Sequence, residues 1–170
     1  MLVKLNDITK IQFGYYTQPS SKGTIPYLQA KHFNHFGQLI GDNDTFLEED
    51  DKVIENLLQE GDVLFAAKGY RFFATLYKKE FGKAVASSIF FIIKPNIQVI
   101  DPGYLVTVLN ITKNLLHFQQ SGAGSSIPSI RKGELESIVI EIPKLEIQNN
   151  IATISALHAE EIKLSNQIIE

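Results

Sequence analysis

Apolar residues in this chain fall in short clusters whose spacing alternates between two periods. Leu5 to Phe13 is a mixed apolar run, followed by GYYTQPSSKGT, a polar loop of turn-forming residues. IPYLQAKHF and QLIG read as short strands. Between Asp50 and Gln59, Val53, Ile54, Leu57 and Leu58 keep a helical spacing that stops at Gly61. VLFAA is a buried-type strand, and SSIFFIIKP, closed by Pro95, has the strongest strand character in the chain. Pro102 opens a helical rhythm that runs through Leu105, Val108, Leu109, Thr112, Leu115, Leu116 and Gln119. In LESIVIEIP, Ile138, Ile140 and Ile142 alternate with Val139 and Glu141, the period of a half-buried strand.

From about Leu145 to Glu170 the pattern is that of one long helix. Ile147, Ile154, Glu161 and Ile168 take the a positions of a heptad, and Asn150, Leu157 and Leu164 the d positions. Ile151, next to these positions, is counted with them in the expected partner-facing seam. A helix of this length at the end of a small domain is marginal alone, so its stripe predicts pairing with another molecule, with folding back on its own domain as the alternative. Together these segments predict an α+β fold: one mixed-sheet domain over residues 1–143 and a pairing or spacer helix over 144–170.

The chain has 170 residues, 44% of them hydrophobic and 10% aromatic, enough for one domain with a real core. It has no cysteine, which excludes disulfides and thiolate metal sites. No segment approaches the roughly 18 apolar residues of a membrane span, and MLVKLNDITK lacks the apolar run of a signal peptide. The expected location is the cytoplasm.

The net charge of −3 argues at first against a polyanionic partner. Its distribution reverses that reading. Residues 41–62 carry nine acids against Lys52, a local charge of −8, so the remainder is +5. A basic body with one acidic segment is compatible with nucleic acid on another face, the acidic segment lying away from it or facing a protein.

Recognisable catalytic chemistry is scarce. SGAGSSIPSIRKGE, residues 121–134, is rich in glycine and hydroxyls and ends in two cations, as an anion cradle would. It matches neither the P-loop nor the dinucleotide glycine pattern, and it is expected to run into a strand rather than a helix. There is no G-x-S-x-G elbow. His32 and His35 lack a third ligand, and Glu161 with Lys163 resembles a nuclease fragment but fits a solvated helix pair.

Three polar segments instead share a chemistry suited to nucleic acid. The first supplies Tyr15, Tyr16, Gln18, Ser20, Ser21 and Lys22; the second Lys68, Tyr70, Arg71, Lys78 and Lys79. The third supplies Ser121, Gly122, Ser125, Ser126, Arg131 and Lys132. Cations neutralise phosphates, amides and hydroxyls read base edges, and glycines allow close approach. Lys22, Lys68, Arg71, Lys78, Lys79, Arg131 and Lys132 are the phosphate candidates. Tyr15, Tyr16, Gln18, Tyr70 and Ser125 are the base candidates.

The end of the chain carries a resemblance. The run from Ser121 through PKLEIQNNIA resembles the end of a target recognition domain of a type I restriction–modification DNA specificity subunit. The family pattern P-x-L-x-x-Q-x-x-I-A falls on Pro143, Leu145, Gln148, Ile151 and Ala152; where the family usually has Glu before the Gln, this chain has Ile147, with Glu146 displaced by one. Upstream, Leu5-Asn-Asp-Ile8 with Gly14, Ile25-Pro26-Tyr-Leu28, Gly61-Asp62-Val63-Leu64 with Lys68-Gly69, and the stretch from Ile100 to Leu105 resemble further family segments in order.

The resemblance implies a non-catalytic, sequence-specific binder of double-stranded DNA. It implies a modification (methyltransferase) subunit and a restriction subunit as partners, with S-adenosylmethionine and ATP/Mg expected on those partners and no cofactor in this chain. It also implies two recognition domains per subunit. Only one is present here, so the chain looks like half a subunit, a natural half or a fragment, and a homodimer through the terminal helix would restore two. A helix-mediated interaction module without DNA binding, and a nuclease with an unrecognised site, are the alternatives.

Overall fold

A computed structural model describes residues 1–121, 124 and 126–169. The elements are β1 (Leu2–Lys4), α1 (Leu5–Ile8), β2 (Thr9–Phe13), β3 (Ile25–Leu28), β4 (Phe46–Leu47), α2 (Asp51–Glu55), β5 (Val63–Ala66) and β6 (Ala74–Leu76). They continue with β7 (Val85–Ala86), β8 (Phe90–Pro95), α3 (Pro102–Leu109), α4 (Thr112–Ser121), α5 (Lys132–Glu136), β9 (Val139–Glu141) and α6 (Leu145–Ile169). This is the expected α+β class, with the expected long helix starting at Leu145.

The central sheet has the order β2-β8-β5-β6, antiparallel throughout. Its alternation separates two cores. Phe91 and Ile93 of β8 face one way, with Val63, Phe65 and Ile11, and bury against Tyr104, Leu105 and Leu109 of α3 and Phe118 of α4. Phe90 and Ile92 face the other way, into a cluster with Leu28, Phe33, Leu64, Phe73 and Ala86. On that side lies a second sheet, β4-β3-β7, in which β3 pairs β7 in parallel. β8 is apolar on both faces because it is covered on both, which explains its unbroken FFII.

Several sequence expectations change. The helix expected from Pro102 to Gln119 is two helices, broken at Asn110 and Ile111. The reason is a tertiary contact: Asn110 Oδ1 accepts from the Ala74 N–H and Asn110 Nδ2 donates to the Ala74 C=O, both at 2.8 Å. That side chain occupies the free edge of β6 where another strand would pair. QLIG forms no strand; Leu39 makes only an isolated bridge with Phe33. LESIVIEIP divides into α5 and β9, with Ile140 buried between exposed Val139 and Glu141. SGAGSSIPSIRKGE therefore runs into a short helix, not a strand. Glu134 accepts from the Arg131 N–H at 2.7 Å, so the chain's own carboxylate fills that helix start.

α6 does not simply project. Gln148 in its first turn is 1% exposed, and Ile151 and Ala152 pack against the core. Gly103 admits α6 closely: a Cβ there would lie 3.1 Å from the Ala152 Cβ. The heptad seam points elsewhere, with Ile147, Ile154, Leu157, Glu161, Leu164 and Ile168 all exposed. Ile151 alone of the expected seam turns to the domain. The helix is thus amphipathic on two sides, one used at home and one open.

Candidate nucleic-acid interface

The sheet register decides which loops can meet. Phe13 pairs Phe91, Ala66 pairs Phe90 and Phe65 pairs Ala74, so segments 14–19, 67–73 and 87–89 leave the same end of the sheet. The third segment is stitched to that end. Ile130 N–H donates to Ala67 C=O at 2.8 Å, Gly69 N–H donates to Pro128 C=O at 2.9 Å, and Lys68 bridges Ser129. Tyr70 Oη lies 3.5 Å from the Ser126 carbonyl. Lys132 Nζ stands 6.0 Å from the centre of the Phe13 ring and 3.5 Å from a Glu136 carboxylate oxygen. Across the same end, Ala67 N–H donates to Ile89 C=O at 2.9 Å, tying this group to the strand start beside Tyr15 and Tyr16.

Segments far apart in sequence therefore present Tyr16, Gln18, Lys68, Tyr70, Ser126, Arg131 and Lys132 at one end of the domain. Tyr16 is 77% exposed and Tyr70 82%, unusual for rings of this size. Phe13, also exposed, belongs to the group although its strand position concealed it in the sequence.

Other expected residues lie elsewhere. Lys78 and Lys79 follow Leu76, which pairs Val63 at the opposite end of the sheet. Arg71 is half-buried: its Nη2 donates to the carbonyls of Ala30 at 3.2 Å and Phe33 at 2.8 Å, and its guanidinium carbon lies 4.9 Å from the Phe73 ring centre. It braces one loop against the next. Ser20 Oγ donates to Glu48 at 2.7 Å, so Ser20, and with it exposed Ser21 and Lys22, turn toward the acidic segment. Tyr15 is half-buried, its carbonyl accepting from Tyr27 Oη at 2.7 Å; burial raises the Tyr27 pKa, which keeps that phenol a neutral donor. Ser121 is exposed at the end of α4. Gly122 and Ser125 lie outside the described residues.

The acidic segment is largely occupied by the fold. Asp50 caps α2 by accepting from Val53 N–H at 2.7 Å, and Glu49 lies 3.7 Å from Lys83. Asp44 meets His32 Nε2 at 2.8 Å and Lys31 at 3.0 Å. Hydrogen bonds from His32, Lys31 and Thr45 hold the Asp44 carboxyl well below the usual carboxylate range. His32 Nδ1 accepts from Gln29 N–H, so Nε2 carries the proton toward Asp44. Among the described residues no group of three or more His, Asp or Glu is placed to hold a metal ion. None of their helices is long and apolar enough to cross a membrane.

Gly14 opens the first of these loops for a steric reason. A Cβ at that position would stand 2.0 Å from the Ser87 carbonyl oxygen and 3.0 Å from that of Ala86, so only glycine lets the chain leave β2 this close to the end of β7.

Comparison with solved structures places this architecture. The HsdS subunit from Thermoanaerobacter tengcongensis superposes with a TM-score of 0.67 at 17% identity, over 99% of this chain and 39% of that one. The type-I restriction-modification system S subunit from M. genitalium gives 0.68 at 14% identity, over 98% and 41%. A chain from a structure described as the structural basis of complex assembly and conformational transition of the type I R-M system gives 0.69 at 18%, over 98% and 44%. This chain thus spans less than half the length of each. No curated protein matched. The family model of the type I restriction modification DNA specificity domain matches residues 1–170, and the chain belongs to that family.

Proposed function

We propose that this chain binds double-stranded DNA in a sequence-specific manner as the target-recognition component of a type I restriction–modification system, without chemistry of its own. The observation that carries this reading is the meeting, at one end of the central sheet, of exposed cations and exposed aromatics from three distant segments. Lys68, Arg131 and Lys132 would neutralise phosphates; Tyr16, Gln18 and Tyr70 would lie near bases. Methyl transfer and cleavage would belong to a modification and a restriction subunit, which would bring S-adenosylmethionine, ATP and Mg. Lys78 and Lys79, at the far end, would take no part in the same contact.

Fluorescence anisotropy against random duplex pools at several salt concentrations tests this. Binding should weaken linearly in the logarithm of salt. The triple variant Lys68→Ala, Arg131→Ala, Lys132→Ala should flatten the slope by up to about 2.7, at roughly 0.9 for each phosphate no longer neutralised. Lys78→Ala with Lys79→Ala should change it by less than about 1. Flat anisotropy to tens of micromolar, with and without a modification subunit, overturns the reading.

The open seam on α6 supports a second element of the proposal, a homodimer. Leu157 is 65% exposed and Leu164 51%, and both sit at d positions on a helix whose other face is already occupied. A two-fold pair would present two recognition ends to a palindromic split site. Sedimentation of the wild type should give the mass of a pair, and Leu157→Glu with Leu164→Glu that of a single chain. Equal masses for the two proteins would remove the dimer.

A further inference from the structure

Arg71 stands in the second polar segment, next to exposed Tyr70, but its side chain turns inward. The guanidinium lies over the buried ring of Phe73, and Nη2 donates to the carbonyls of Ala30 and Phe33. What it grips is rigid. Ala30–His32 form a single helical turn directly after β3. Buried His32 closes that turn, its Nδ1 accepting from Gln29 N–H at 2.9 Å and its Nε2 meeting Asp44 at 2.8 Å. β3 also holds the first polar segment, because Tyr27 Oη donates to the Tyr15 carbonyl at 2.7 Å.

The residues before Tyr70 have separate ties. Ala67, Lys68 and Gly69 are joined to residues 128–130 by backbone hydrogen bonds and a bridge. Tyr70 is thus suspended between two anchors: the third polar segment on one side, and on the other, through Arg71, the turn carried by β3. Since β3 also carries the Tyr15–Tyr16 loop, the Arg71 tie sets where Tyr70 lies relative to Tyr16. Phosphate contacts supply affinity and register, whereas discrimination between bases requires contacts held in a fixed geometry. A guanidinium turned onto two carbonyls supplies geometry and leaves the phosphates to Lys68, Arg131 and Lys132.

We propose that Arg71 is a positioning residue for sequence discrimination: it touches no DNA, and it holds the Tyr70 loop at a fixed spacing from the Tyr16 loop. The proposal rests on the DNA-reading function above and assigns, within it, a role other than the phosphate contact that its charge suggests in the sequence.

The test uses the full chain, with the modification subunit if duplex binding requires it, and a duplex enriched from a random pool by the wild type. Variants are compared at a temperature where circular dichroism shows each one folded. Arg71→Met should keep the wild-type salt slope and lose roughly tenfold of the preference for the enriched over the random duplex. Arg71→Lys should change in the same direction, because it keeps the charge but not the reach, and it stands in if the methionine variant does not fold. Tyr70→Ala should lose a similar share of the preference. Adding Arg71→Met to Tyr70→Ala should lose little more, since the two changes act through one ring. A slope flattened by about 0.9 in Arg71→Met would make the guanidinium a phosphate contact and overturn the proposal. Equal loss of affinity for both duplexes, or preference kept in both Arg71 variants, would overturn it by leaving a brace of the fold alone. Unchanged preference in Tyr70→Ala, or additive losses in the double variant, would overturn it by separating Arg71 from Tyr70. Absence of duplex binding by the wild type removes the DNA-reading function itself, and this role with it.

Discussion

Replacing Gln148 with leucine is expected to remove about 4 kcal/mol of stability, although the substitution trades a polar side chain for an apolar one of similar size at a 1% exposed position. Gln148 Oε1 accepts from the Asp101 N–H at 2.8 Å, and its Nε2 donates to the carbonyls of Val99 at 3.0 Å and Pro143 at 2.8 Å. Leucine would leave all three backbone groups buried without a partner, at about 1–3 kcal/mol each, partly offset by the apolar side chain. The melting temperature should fall by roughly 10 °C, at about 2–4 °C per kcal/mol for a chain of this size. Faster amide exchange at Asp101 should accompany it. A loss below about 1 kcal/mol by denaturant titration would mean that these hydrogen bonds do not hold α6.

The same joint explains why two separated family segments occur together. Asp101, whose N–H meets Gln148, is also the N-cap of α3, its carboxylate accepting from Tyr104 N–H at 2.8 Å. The glutamine of PKLEIQ and the aspartate of IDPGYL are thus two halves of one connection between the domain and its helix.

Asp62→Ala should cost about 3–5 kcal/mol, the second large effect. The Asp62 side chain is 6% exposed and receives Lys94 Nζ on both oxygens, at 2.8 and 2.9 Å, together with the Gln59 N–H at 2.9 Å. Alanine would strand a mostly buried ammonium and a backbone donor. The double variant Asp62→Leu, Lys94→Met should recover at least half of the loss, since removing both charges ends the desolvation penalty. Denaturant unfolding of the single and double variants checks this. If the double variant is as unstable as Asp62→Ala, the cost lies in the Gln59 N–H left without its acceptor, and not in the ion pair.

Elements with a sustained period are legible in the sequence. β8 announces itself by FFII, β5 by VLFA and α6 by its heptads, because each follows its own rhythm over a full element. The short pieces are not legible there. Nothing local in YLVTVLNITKNLLHF marks the break at Asn110, since the side chain that ends α3 does so by capping β6, 36 residues away. The candidate site divides in the same way. Its chemistry is visible as cations, aromatics and hydroxyls in three polar segments, whereas Arg71 and Lys78 look alike in one dimension and lie in different places in three.

Composition and periodicity were enough to settle the α+β class and the long terminal helix, and ordered short motifs the family, because these are properties of the chain read residue by residue. Which loops share one end of the sheet, which cations remain available there, and which face of α6 is left open followed from strand register and helix packing. Those depend on contacts between residues tens of positions apart, and no local pattern encodes the partner of a side chain.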